Sequence, residues 1–259
     1  MIHVVTGLPR SGSTLLCNIL NQRSDTFASS TSSLCEALVG LSKLLSENPT
    51  ETSRLANIPG TAEHHVKIGR SLAESWHDTD APVVFDKSRV WAESAVMLRS
   101  VIPDSGIVVL VRDPRDVLAS IERRHRQTGL YGGNDLFASC SSHMSEDGLV
   151  GGPIKGVEDL MRRNLPNVAF VQYENLACDP ARAMRAVEAT CGLEAHEYNF
   201  DAVESTSTDL DVLYRGKFPH EGSGRVEQRK SNWSDVIPQD IATATVQRWP
   251  FFCRSFGYV

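Results

Sequence analysis

No apolar run in these 259 residues approaches the length of a membrane span. Val4 and Val5 already belong to a first apolar strand, which leaves no room for a signal peptide, so a cytoplasmic protein without membrane partners is expected. The six cysteines (17, 35, 140, 178, 191 and 253) include no C-x-x-C pair. They read as free, mostly buried thiols rather than a structural zinc site or a disulfide framework. Positive charge is also scarce. There are 26 Lys and Arg against 32 Asp and Glu, a net charge of −6, which argues against a general nucleic-acid binder. Any site for an anion must therefore be local. There is no internal repeat and no interdomain linker, so one domain over 1–259 is expected, and an apolar share of 41% is enough for a sizeable core. Oligomeric state leaves no signal.

Four short runs rich in Val, Ile or Phe read as buried parallel strands: 2–6, 82–86, 106–111 and 168–173. Helical patterns lie between and after them. They cover Thr14–Gln22, Ser33–Ser46 (with Leu34, Leu38, Leu41 and Leu45 at helical spacing), Ala92–Val101, Pro114–Arg126, Gly156–Asn164, Pro180–Cys191 and about Pro238–Phe252. Strand and helix in alternation predict an α/β fold with a doubly wound, mainly parallel sheet flanked by helices. Ligands of such sheets bind beyond the carboxyl ends of the strands, where Gly7–Thr14, Asp86–Arg89 and Arg112–Arg115 fall. The Gly- and Ser-rich stretch Gln127–Pro153 reads as a substrate loop or lid. Asp211–Asn232 is Gly-rich and turns basic towards its end.

One absence is chemically pointed. Gly7 to Thr14 reads G-x-x-x-x-G-S-T, the spacing of a phosphate-cradling loop, but Ser13 stands where nucleotide hydrolases carry Lys. Glycines let successive backbone N–H groups turn towards an anion, and the following helix adds its dipole. Without the Lys, a nucleoside triphosphate is a poorer ligand than another phosphate-bearing molecule. Arg10, inside the loop, is the replacement cation. Pro9, Arg10, Ser11, Gly12, Ser13 and Thr14 are thus candidate binding residues. A second stretch, V-V-L-V-R-D-P-R-D-V-L-A-S-I-E-R-R over 108–124, ends a strand at Arg112 and opens a helix at Pro114. Ser120 and Arg124 share one helix face. Arg, Ser and Arg around a small space suit a terminal phosphate. The alternative is that Arg112 pairs with Asp113 or Asp116.

The pair G-L-P-R-S-G-S-T-L-L and V-R-D-P-R-D-V-L-A-S resembles the two cofactor motifs of sulfotransferases that use 3′-phosphoadenosine 5′-phosphosulfate (PAPS) and release adenosine 3′,5′-bisphosphate (PAP). The Arg form of the first loop is closest in style to protein-tyrosine sulfotransferases and their bacterial relatives. The resemblance implies a P-loop-like sulfotransferase fold and several roles. Phe85-Asp86-Lys87-Ser88 matches the segment with the catalytic Lys, which makes Lys87 the candidate for the leaving oxygen and Arg10 the candidate for the 5′-phosphosulfate. Val171–Leu176 is similar to the strand whose Tyr, here Tyr173, lies against the nucleotide. Arg225–Trp233 is similar to the late basic loop that closes over the phosphates, with Arg229 and Lys230 as its cations. No metal is expected, since Arg, Lys and N–H groups neutralise the charge and Asp86 is followed at once by Lys87.

The general base departs from that pattern. Where those enzymes have a Glu, about twenty residues after the loop Arg, this chain has Thr31, and Glu36 is the nearest carboxylate beyond it. Glu36 is therefore the candidate base, with His64, His65 and His125 as other options. The departure argues against a peptidyl-tyrosine acceptor. A small molecule is the expected acceptor if 127–153 forms a lid over a pocket, with glycans and peptides left open. Trp91, Trp233 and Trp249 are candidates to stack on adenine or to fill the core. Two other classes stay open on the sequence: a P-loop nucleotide kinase or hydrolase, and a non-catalytic nucleotide-binding module.

Overall fold

The computed structural model describes residues 1–128, 135–205, 224–227 and 232–259. Its centre is β1 (Ile2–Gly7), which pairs in parallel with β3 (Val83–Lys87) on one side and β4 (Ile107–Val111) on the other. β2 (Thr26–Ala28) and β5 (Val168–Gln172) complete a five-stranded parallel sheet in the order β2-β3-β1-β4-β5. Parallel neighbours need crossovers, and helices supply them. Alternate strand residues face opposite sides. Val4 and Val109 join one core with Leu34, Trp91, Leu98, Leu118 and Phe252, whereas Val5, Phe85 and Leu110 join another with Leu16, Leu20 and Met184. The sheet is thus covered on both faces, which is why its strands read as unbroken apolar runs.

Two helices occupy a stretch where the sequence suggests no element. After α1 (Ser13–Leu20) and α2 (Leu34–Glu47) come α3 (Pro49–Asn57) and α4 (Thr61–Glu74). α3 buries no residue, but Asn48 caps it by accepting from the Thr50 and Glu51 amides, and Pro49 opens it. A 3₁₀ turn at Arg89–Ala92 leads into α5 (Ala95–Val101), and α6 (Pro114–Thr128) follows β4. The stretch read as a lid, 127–153, instead contains α7 (Leu136–Met144), capped by Asp135, and the start of α8 (Gly151–Arg163). Pro153 is tolerated there because the first turn needs no donor from it. After β5 come α9 (Tyr173–Cys178) and α10 (Pro180–Cys191). The last predicted helix is two, α11 (Gln239–Arg248) and α12 (Pro250–Ser255), divided where Pro250 cannot continue the first. No helix among the described residues is long and apolar enough to cross a membrane.

His3 on β1 is fully buried, and its Nδ1 accepts a 2.9 Å hydrogen bond from the Gly106 amide. Burial, helped by the N-terminal charge, lowers its pKa to about 4 from an ordinary 6.5. The unfolded chain therefore takes up this proton first as the pH falls. Stability should drop between pH 6.5 and 4, by about 2 kcal/mol at pH 5 from this group. An NMR titration should keep the His3 ring neutral down to about pH 4. Protonation near pH 6.5 would contradict that.

Candidate functional site

β1 delivers the chain into the phosphate-type loop at Gly7, whose φ is +125° and where a Cβ would stand 2.0 Å from the Leu110 carbonyl oxygen on β4. Only glycine fits there. Arg10 (φ 59°) and Gly12 (φ 88°) are both left-handed. This backbone turns amides inward, and Gly12 brings no side chain to cap α1, whose N-terminus faces the loop. The Ser11 hydroxyl donates to the Leu8 carbonyl at 2.6 Å and pins the loop, which leaves Ser11 to present only its backbone. Pro9, Ser13 and Thr14 are half-buried around it.

The cation beside this loop arrives from the neighbouring strand. β1 and β3 pair with Val5 opposite Lys87. Lys87 Nζ donates to Thr14 Oγ1 at 3.0 Å and to the Ser30 carbonyl, while its amide donates to Ser29 Oγ at 2.9 Å. The alternation of β3 sends Asp86 the other way. Its buried carboxylate accepts from Trp91 Nε1 at 2.6 Å and contacts His77 Nε2 at 2.8 Å. Glu36 lies in the first turn of α2, exposed, with both carboxylate oxygens 3.5 Å from the hydroxyl of Ser88, next to Lys87. Burial pushes the thiols of Cys17 and Cys35 up to about 11 and about 12, so neither is a ready thiolate nucleophile.

The second motif is joined to the first. Arg112, only 7% exposed at the end of β4, donates through Nη1 to the Arg10 carbonyl at 2.9 Å. Its guanidinium carbon lies 4.3 Å from the centre of the Tyr173 ring. The same ring lies against Gly12, where a Cβ would come within 2.7 Å of it. Arg10 Nε donates to Ser120 Oγ at 3.2 Å, and Arg124 stands half-buried one turn further along α6. Of the two alternative partners of Arg112, the Asp113 carboxylate is held by Arg115 at 2.7 Å. Arg112 Nε is buried with no hydrogen-bond partner among the described residues. A buried guanidinium N–H without an acceptor costs free energy unless an anion completes it.

Other sequence candidates lie elsewhere. His65 contacts Glu51 at 3.0 Å between α4 and α3, His64 is exposed on α4, and the His125 ring sits 5.4 Å from that of His143. Trp91 is core, and Trp249 donates to the Met144 carbonyl. Trp233 lies against the Arg115 guanidinium at 5.2 Å. Arg229 and Lys230 lie outside the described residues. Just after them, the Asn232 carbonyl accepts from Arg123 of α6 at 3.0 Å. Among the described residues no three His, Cys, Asp or Glu side chains are gathered as metal ligands. Of the supports of Lys87, Thr14 was read as part of the loop, whereas Ser29 and Ser30 were legible only as a Ser-rich tract beside a strand too short to read.

No curated protein matches the chain. Solved structures do. The sulfotransferase domain of the Synechococcus PCC 7002 olefin synthase is 19% identical with a TM-score of 0.56, covering 98% of this chain and 94% of that one. A Mycobacterium avium sulfotransferase is 12% identical with a TM-score of 0.54, covering 98% and 76%. A mouse sulfotransferase complexed with PAP is 12% identical with a TM-score of 0.53, covering 98% and 84%. At these identities the likeness carries the fold. The family model described as "Sulfotransferase family" matches residues 4–197, a span that contains the loop, Lys87, Arg112, Ser120, Arg124 and Tyr173. The chain belongs to the sulfotransferase family.

Proposed function

We propose that this protein moves the sulfuryl group of PAPS to a hydroxyl or amine of a small-molecule acceptor. The observation that carries the reading is the buried, unpartnered Arg112 Nε beside Tyr173, a second anion site next to the cradle of Gly7–Thr14. A mononucleotide needs only the first of these sites, whereas a 3′-phosphorylated nucleotide needs both. The residues present fit such a ligand, with the N-terminus of α1 and its loop for one anionic end and Arg112, Ser120 and Arg124 for the other. Arg229 and Lys230 are proposed as further phosphate contacts. When bound, PAPS supplies an activated sulfuryl group and departs as PAP.

The chain's own groups do the rest. Pro9–Thr14 and Arg10 hold the 5′ end, and Tyr173 and Arg112 fix the nucleotide's position. The Lys87 ammonium, held at Thr14, sets positive charge where the leaving oxygen develops negative charge. Glu36 takes the acceptor's proton as its oxygen or nitrogen bonds to sulfur. Six free cysteines suit a cytoplasmic location, and the same reading takes 1–259 as one domain.

Calorimetric titration tests the proposal. PAP should bind at least about tenfold more tightly than adenosine 5′-monophosphate (AMP) and than ATP with Mg²⁺, because the 3′-phosphate gains charge-assisted hydrogen bonds. Tighter binding of ATP with Mg²⁺ would favour the kinase or hydrolase class and overturn the proposal.

A further inference from the structure

Arg112 can read a phosphate only if its planar fork is held in one orientation. Tyr173 and the Arg10 carbonyl bear on the guanidinium itself. The backbone that carries it is fixed from the far end of the chain. Glu174, next to Tyr173, accepts from the Asp113 amide through Oε1 at 3.2 Å. Its other oxygen, Oε2, accepts from the Tyr258 hydroxyl at 3.0 Å. One carboxylate therefore ties the turn just after Arg112 to the penultimate residue of the sequence. Arg115 makes a second tie. It holds the Asp113 carboxylate and also donates to the Tyr258 carbonyl at 3.0 Å. Tyr258 is only 7% exposed, and Gln172 at the end of β5 donates to its hydroxyl at 3.3 Å and to the Phe256 carbonyl at 2.9 Å. Burial raises the Tyr258 hydroxyl well above its ordinary value, so it remains a donor to Glu174.

We infer that Glu174 and Tyr258 are positioning residues that clamp the β4–α6 turn and aim Arg112 at the 3′-phosphate of the nucleotide. This rests on the PAPS reading above. The clamp draws on residues 256–258, beyond the part of the chain that matches the family, so the tail acts on the nucleotide site through Glu174 and the turn that carries Arg112. A purely structural tail would affect every ligand alike. A clamp on Arg112 affects only ligands that carry the 3′-phosphate.

The test is calorimetry on the full chain with two probes, PAP and AMP. Wild type should prefer PAP by at least about tenfold. Glu174→Ala should weaken PAP about tenfold and leave AMP within about twofold. Glu174→Gln keeps an oxygen for the Asp113 amide and should recover PAP to within about threefold of wild type. Tyr258→Phe removes one oxygen atom. It should cost PAP about threefold with AMP unchanged, and it carries the test if Glu174→Ala does not fold. Variants that keep the full preference for PAP, or that lose both ligands equally, would overturn the clamp alone. Equal affinities of wild type for PAP and AMP would instead overturn the 3′-phosphate reading, and the clamp with it.

Discussion

Replacing Lys87 with Ala is expected to lower turnover by about a thousandfold while PAP binding stays within a few fold. The asymmetry follows from where the ammonium sits. Its strand register beside β1 and the Ser29 bond to its amide place it at Thr14, on the loop side of the sheet. A preorganised charge aimed at a developing anion is worth roughly a hundredfold to a thousandfold, because it needs no reorganisation when the bond breaks. On the proposed reading PAP is already the product and the loop and the Arg112 cluster cover its two phosphates, so its binding has less need of Lys87. Lys87→Arg should rescue little, since a planar fork does not replace a compact ammonium packed between Thr14 and the Ser30 carbonyl. Single-turnover kinetics and calorimetry on the same preparation measure both sides. Full turnover in Lys87→Ala would remove Lys87 from the mechanism.

Glu36→Gln is expected to lower turnover by about a hundredfold to ten thousandfold, again with PAP binding preserved. The substitution keeps the shape and the contact with Ser88 but removes the basic oxygen. Glu36 is the candidate base that the structure joins to the Lys87 neighbourhood, through contacts of 3.5 Å from each oxygen to the Ser88 hydroxyl. His64→Ala and His65→Ala should change turnover less than about twofold, because His65 is engaged with Glu51 and His64 points to solvent on α4. A Glu36→Gln enzyme of normal rate, or a large loss at His65, would reassign the base.

The parts legible in the sequence are those where local backbone chemistry dictates the residue. Gly7 must be glycine because β4 leaves no space for a Cβ, and the apolar runs of β1 and β4 announce strands buried on both faces. The junction of Arg112 with Pro114 likewise marks the end of a strand and the start of a helix. Elements without a repeating pattern stayed hidden. β2 is three residues long, too short to show alternation, and it is built by pairing with β3. α3 buries nothing, so no stripe betrays it, although its Asn48–Pro49 start was a readable cap. α7 lies within a Ser-rich stretch whose composition suggested a loop. Long-range polar contacts were the least legible. That Lys87 reaches Thr14 of the loop depends on strand register. That Tyr258 reaches Glu174 depends on α12 packing the tail against β5, where Phe256 lies 5.8 Å from Phe170. An R-S-F-G-Y ending carries no local sign of that.

The central claim is that two adjoining anion sites and a β3 lysine transfer a sulfuryl group. It is tested most directly by incubating the protein with radiolabelled PAPS and a panel of hydroxyl and amine acceptors, with Lys87→Ala in parallel. The account predicts labelled acceptor and an equal amount of PAP from wild type, and neither above background from the variant. PAP binding with no transfer to any acceptor, or transfer that Lys87→Ala supports at the wild-type rate, would contradict it.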